Sequence, residues 1–217
     1  MKKTYEAFTS ATSKPLPYLQ FLPTDAEGAN KTYPLVIFLA GMGELGEDLD
    51  RITVHSMPHH AASGTEYPFI LVCPQIPAWN LWYAYIETLN HFLDHLLSTL
   101  PVDKDRVILT GLSNGGIGTW LWGCNDPGRF AALIPVCGEG IEPFAPNLIK
   151  TPVWAFHGEQ DPVVACDGSR RMVESINRHG GNAKLTVYPG VGHDSWVPAY
   201  AEPGLVDWIL EKKREQA

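Results

Sequence analysis

No stretch of this sequence is long and apolar enough to span a bilayer. Basic residues are sparse: 16 Lys and Arg stand against 24 Asp and Glu, for a formal net charge of −8. No basic patch breaks that excess, so nucleic acid is not an expected partner. Cysteine is sparse as well. Cys73, Cys124, Cys137 and Cys166 stand far apart and form no C-x-x-C pair, which disfavours a metal site. The first three lie in apolar surroundings and read as small buried hydrophobes. Met1-Lys2-Lys3 could open a signal peptide, but the polar run Thr4 to Ser10 follows where an apolar segment is required. The expectation is a cytoplasmic protein with free thiols, although a signal removed beforehand would leave no trace. Repeats, low-complexity tracts and internal linkers are also absent. The 217 residues, 45% of them apolar, suit a single α/β domain over residues 1–217.

What is there is a regular alternation. Residues 4–10 and 18–22 read as an edge ribbon of two strands, and residues 25–31 as a polar turn. Residues 33–40 form a continuous apolar run, as expected of a strand buried on both faces of a parallel sheet. Residues 50–66 are irregular or weakly helical. A strand over 69–73 stops at Pro74. Leu89, Phe92, Leu93, Leu96 and Leu97 fall at helical spacing within a crossover helix over 82–100, ended by Pro101. Further strands are expected at 106–110, 130–137, 151–157 and 183–188, with helices following 117, over 168–179 and over 203–213. Strands alternating with crossover helices imply a mostly parallel α/β sheet.

The chain centres on Gly111-Leu112-Ser113-Asn114-Gly115-Gly116, between a β-branched strand and a helix. That is the context a nucleophile elbow requires. A tight turn around the central Ser leaves no room for bulk two residues to either side. It lifts the Ser113 hydroxyl above the sheet edge and leaves the Asn114 amide at a helix N-terminus.

A Ser nucleophile needs a base and a group to orient that base, and in such sheets both follow the carboxyl ends of later strands. Asp161 follows the strand ending at His157, and His193 follows the strand ending at Tyr188. Ser113, Asp161, His193 is also the chain order of the α/β-hydrolase arrangement. Among the competitors, Glu159 is expected to face solvent, Asp194 to diverge from its neighbour His193, and Asp167 to cap the following helix. His157 is expected to pack, though it could approach the site. A second oxyanion donor is expected from Gly41-Met42-Gly43, with the Met42 amide acting beside that of Asn114.

Trp79, Trp82 and Trp196 flank the loops placed near the site and are candidates for an aromatic platform that binds a sugar or aryl ring. Packing at the core edge is at least as good a reading of them. Glu44 and Glu139 would add negative charge at the mouth and disfavour anionic acyl groups. His91 with His95, and His55 with His59 and His60, are the only histidine groupings. Pro58 should break a helix in the second, and neither motif places a third ligand, so no metal and no cofactor is expected.

These residues resemble the α/β-hydrolase superfamily, and within it the small serine esterases of the phospholipase/carboxylesterase and dienelactone-hydrolase-like group. The likeness is strongest to the branch near polyhydroxybutyrate depolymerases, feruloyl esterases and predicted peptidases. It is carried by residues 36–44 with Gly46, by 102–116, by Phe130-Ala131-Ala132, by His157-Gly158-Glu159-Gln160-Asp161-Pro162-Val163-Val164 and by Gly192-His193-Asp194-Ser195-Trp196. It implies an α/β-hydrolase fold with a mostly parallel central sheet of about eight strands flanked by helices. Residues 139–150 leave no room for a large cap domain. Two positions depart from the family pattern. Ala40-Gly41 stands where the oxyanion loop usually has His-Gly. Ser113 stands where typical dienelactone hydrolases have Cys, which favours an ordinary carboxylic ester.

The reading that follows is a serine carboxylesterase acting on a small-molecule or oligomeric ester, short acyl, aryl or carbohydrate-linked. A peptidase or thioesterase with the same triad stays open, as does a ligand-binding protein that kept the fold. Nothing in the sequence decides the oligomeric state.

Overall fold

The structure is a computed structural model that describes residues 1–26 and 31–214. Its centre is an eight-stranded mixed sheet in the order β1-β2-β4-β3-β5-β6-β7-β8. The strands are β1 (Lys2–Phe8), β2 (Leu16–Leu22), β3 (Tyr33–Leu39), β4 (Ile70–Pro74), β5 (Val102–Leu112), β6 (Ala132–Val136), β7 (Val153–Gly158) and β8 (Ala183–Tyr188). All pairings from β4 to β8 are parallel, whereas β1 pairs with β2 and β2 with β4 in antiparallel fashion. The mostly parallel sheet and the N-terminal edge ribbon thus match the sequence reading. Of the turn expected over residues 25–31, residues 27–30 lie outside the described residues.

The helices are α1 (Ser56–Ala62), α2 (Ile86–Thr99), α3 (Asn114–Asn125), α4 (Cys166–Arg178), α5 (Trp196–Ala199) and α6 (Leu205–Glu211). Strands β3, β4, β6 and β7 are buried along their whole length because helices cover the sheet. Edge strand β1 is largely exposed. Among the described residues no helix is long and apolar enough to cross a membrane.

Several element ends shift by a few residues, and two departures from the sequence reading have a clear physical reason. Helix α2 starts four residues late, after a tighter turn over Trp82–Tyr85. That turn drives Trp82 and Tyr85 into the core. Pro58 does not break a helix. It lies in the first turn of α1, where a missing N–H leaves no helical hydrogen bond unmade.

The connections out of β3 and β5 fix the site. The chain leaves β3 towards β4 on one side, and leaves β5 towards β6 on the other. The carboxyl ends of β3 and β5 therefore flank a topological switch point, where open α/β sheets bind ligands.

Candidate active site

Strand β5 ends at Leu112 and α3 begins at Asn114. The single residue between them, Ser113, has φ 54° and ψ −118°, a strained conformation for a residue with a side chain. Crowding holds it there. A Cβ on Gly115 would overlap the carbonyl oxygen of Leu39, and one on Gly111 would overlap that of Gly115. Only hydrogen fits at both positions. The Ser113 amide is tied back to the Val136 carbonyl at 2.9 Å and to Cys137 Sγ at 3.3 Å. Burial pushes the Cys137 thiol up to about 12, so it stays protonated behind the elbow.

Asp161 follows β7 and His193 follows β8, and the two connections cross closely. A Cβ on Gly158 would overlap the Gly192 carbonyl oxygen. The crossing sets His193 Nδ1 2.7 Å from Asp161 Oδ2, and His193 Nε2 2.8 Å from Ser113 Oγ. An ionised carboxylate only accepts, so Nδ1 carries the proton and Nε2 accepts from the Ser113 hydroxyl. Burial raises the proton affinity of the Asp161 carboxyl. Hydrogen bonds from His193 and from the Val164 and Val163 amides outweigh that effect and hold it below its ordinary value.

The loop after β3 opens a tight helical turn over Met42–Glu44. Met42 is the first residue of that turn, as Asn114 is the first of α3, so neither amide has a partner within its own helical turn. The loop and Ser113 border one cleft of about 480 Å³, whose wall includes Val54, His55, Leu112, Val163, His193 and Trp196. Roomier hollows of 700 and 840 Å³ are lined instead by residues at or before the starts of strands, such as Tyr33 and Pro152, away from Ser113 and His193.

With that geometry in place, residues 84–202, more than half of the chain, match the model of the dienelactone hydrolase family. The chain belongs to the dienelactone hydrolase family. The match takes in Ser113, Asp161 and His193 but not the Met42 loop. Acyl-protein thioesterase 1 of Gibberella zeae is 28% identical over 100 residues, 42% of this chain and 42% of that protein. A protein of the same name from Neurospora crassa is 26% identical over 119 residues, 51% of this chain and 48% of that one. The chain thus spans about half the length of the curated relatives it matches. The crystal structure of a thermostable esterase superposes with a TM-score of 0.86 at 28% identity, covering 98% of this chain and 63% of that one. A feruloyl esterase module from Clostridium thermocellum shares the fold, with a TM-score of 0.76 at 16% identity, over 100% of this chain and 90% of that module.

Other residues of this dienelactone hydrolase family member depart from the sequence reading. The three tryptophans form no joint platform. Trp82 is fully buried and donates its indole N–H to the Ala40 carbonyl at 2.8 Å. Trp79 is 86% exposed and does not line the cleft. Trp196 does line it, with its ring edge-to-face against His193 and tilted against His55.

Glu44 borders the cleft, as the sequence placed it, but turns its carboxyl away from solvent. Its side chain folds inward, is 4% exposed, and accepts from the Gly41 amide at 2.8 Å. Burial pushes its carboxyl up to about 7, against the opposing pull of that amide. Glu139 is exposed and lies off the cleft, whereas Arg51 lines it and donates to the Gly43 carbonyl at 2.8 Å. Of the two acids expected at the mouth, Glu44 alone borders the cleft, and Arg51 stands there with it.

Asp167 does not cap α4. The cap is Ala165, and Asp167 lies in the first turn, paired with Arg171. Glu159 and Asp194 are exposed, as expected. The histidines of the two groupings are engaged locally. His91 meets Ser13, His95 packs tilted against Phe8 and His55 tilted against Trp196, His59 meets the Thr53 carbonyl and His60 the Tyr67 hydroxyl.

Proposed function

We propose that this chain is a serine esterase in which Ser113 is the nucleophile, His193 the general base and acid, and Asp161 the group that orients His193. The observation that carries the reading is the continuous relay from Asp161 Oδ2 through His193 to Ser113 Oγ, with both links under 3 Å. His193 Nε2 takes the Ser113 proton as Oγ attacks the ester carbonyl. The Met42 and Asn114 amides receive the oxyanion. His193 then protonates the leaving alcohol, and an acyl-enzyme remains on Ser113. A water, deprotonated by the same nitrogen, releases the acid and restores Ser113. Residues 1–217 act as one domain in this reading, and the chemistry requires no cofactor.

The cleft favours a compact acyl or aryl group. Val54, Leu112, Val163 and Trp196 give it an apolar wall, and its volume of about 480 Å³ suits a small ester rather than a long buried chain. A thioester is the second reading, because the curated relatives include acyl-protein thioesterases and a thiolate leaves the same tetrahedral intermediate without needing protonation by His193.

The test is turnover of p-nitrophenyl esters from acetate to long-chain acyl, with methyl hydroxycinnamates and one acyl thioester alongside. Short acyl or aryl esters should be preferred. Ser113→Ala should lower kcat by on the order of 10⁶-fold while unfolding remains cooperative. Wild-type turnover in that variant would remove Ser113 from the mechanism.

A further inference from the structure

A second histidine touches the acid of the relay. His157, next to last in β7, is fully buried. Its Nε2 lies 2.8 Å from the Val164 carbonyl and 3.3 Å from Asp161 Oδ2, the oxygen that also receives His193. Its Nδ1 lies 2.8 Å from Ser169 Oγ on α4. A carbonyl can only accept, so Nε2 carries a proton, and that N–H is shared between Val164 and Asp161. Ser169 and Val164 clamp the ring from opposite sides.

Asp161 thus has its Oδ1 held by the Val163 and Val164 amides at 2.8 and 3.0 Å, and its Oδ2 held by His193 and His157. We propose that His157 is a positioning residue that fixes Asp161 Oδ2 in line with His193 Nδ1, and so sets the orientation of the base. The proposal rests on the triad reading. Removing His157 leaves Oδ2 with His193 as its remaining side-chain donor. It also leaves the Val164 carbonyl without its donor at 2.8 Å. The base then spends less time aimed at Ser113. The rate of attack falls while binding at the cleft, which His157 does not line, is unaffected.

Phosphonylation of Ser113 by a fluorophosphonate needs the triad but not the natural substrate, so it separates the two claims. In His157→Gln the amide nitrogen reaches the place of Nε2, whereas in His157→Asn it stops near that of Nδ1. His157→Asn should lower the maximal labelling rate about tenfold, the rate equivalent of one hydrogen bond to a charged group, with half-saturation unchanged. His157→Gln should restore most of the rate. On an Asp161→Asn background, His157→Asn should have no further effect, because its action runs through that carboxylate. A loss of folded protein would instead reduce the labelled fraction and leave the rate constant alone.

His157→Asn labelling at the wild-type rate would overturn the proposal, and so would an equal loss in both variants or an undiminished effect on the Asp161→Asn background. A wild-type chain that does not label overturns the triad reading and this proposal with it. Should His157→Asn fail to fold, Ser169→Ala, which frees the ring at its other nitrogen but also the Gly138 carbonyl, takes its place and is read with and without Asp161→Asn, on which background its effect should vanish. That variant should slow labelling a few-fold, and an unchanged rate counts against the proposal.

Discussion

Glu44 makes the stability of this fold depend on pH in a direction opposite to that of most carboxylates. The side chain is 4% exposed, and one of its oxygens, Oε1, is buried without a partner. Burial moves the carboxyl from 4.5 to about 7, and the Gly41 amide only partly offsets it. The folded chain therefore binds a proton more tightly than the unfolded chain does. The stability this contributes is fully present below pH 4.5 and is lost as pH rises through 7. Over the whole window the change is worth about 3 kcal/mol. Gln at this position keeps an acceptor for Gly41 and stays neutral at every pH. The stability of Glu44→Gln relative to the wild type in urea unfolding should therefore rise by ~2–3 kcal/mol between about pH 5 and about pH 8.5. Any packing cost of the substitution is common to both conditions and cancels in the comparison. A difference between variant and wild type that is the same at both pH values would refute the reasoning. It would mean that water reaches the carboxylate despite its burial.

Packing and exposure give three further predictions. Gly115→Ala places a methyl group onto the Leu39 carbonyl, where backbone on both sides has no room to move. It should destabilise the chain by about 3 kcal/mol or more, read as a lowered melting temperature, and an unchanged melting temperature would show that the elbow has slack. Trp82→Phe removes the N–H that holds Ala40. It should cost about 1–2 kcal/mol of stability and lower kcat several-fold. Trp79→Ala, at a site 86% exposed and off the cleft, should leave both unchanged, and a loss of activity there would restore Trp79 as a substrate contact.

The fold was largely legible because its signals are local. Uninterrupted apolar runs of strand length, such as residues 33–40, read as strands buried on both faces. The elbow glycines, and the Asp161 and His193 positions after β7 and β8, follow from strand order and turn chemistry alone. The misreadings of Glu44 and Trp82 share one cause, which is that sequence adjacency to a loop does not say which way a side chain turns. Glu44 and Trp82 both neighbour the site, and both turn inward because a backbone partner waits there, the Gly41 amide for one and the Ala40 carbonyl for the other. Pro58 misled in a simpler way. A proline forbids helix only beyond its first turn, and the start of α1 could not be fixed closely enough from sequence to decide. The role proposed for His157 was hidden because it depends on Val164 and Ser169, whose spacing carries no motif. The one available signal was a histidine at a strand end four residues before a candidate acid.

The same inward-turned residues bear on the departure at Ala40. Where the resembling family usually has His-Gly, this chain has Ala40-Gly41, and on the proposed reading, in which this loop supplies an oxyanion donor, three side chains take over the shaping of it. The Trp82 indole holds the Ala40 carbonyl, the Glu44 carboxyl holds the Gly41 amide, and the Arg51 guanidinium holds the Gly43 carbonyl. Each bond falls on the backbone immediately around Met42, and two of the three are buried. A donor aimed at a developing oxyanion acts without reorganisation cost only if its peptide plane is fixed before the substrate arrives. The side chains fix the Ala40–Gly41 and Gly43–Glu44 peptide groups on either side, and the Gly41 carbonyl, which shares its peptide plane with the Met42 amide, accepts from the Glu44 amide at 3.1 Å. The loop therefore needs no histidine to be preorganised, and the substitution at position 40 exchanges one way of holding the loop for another.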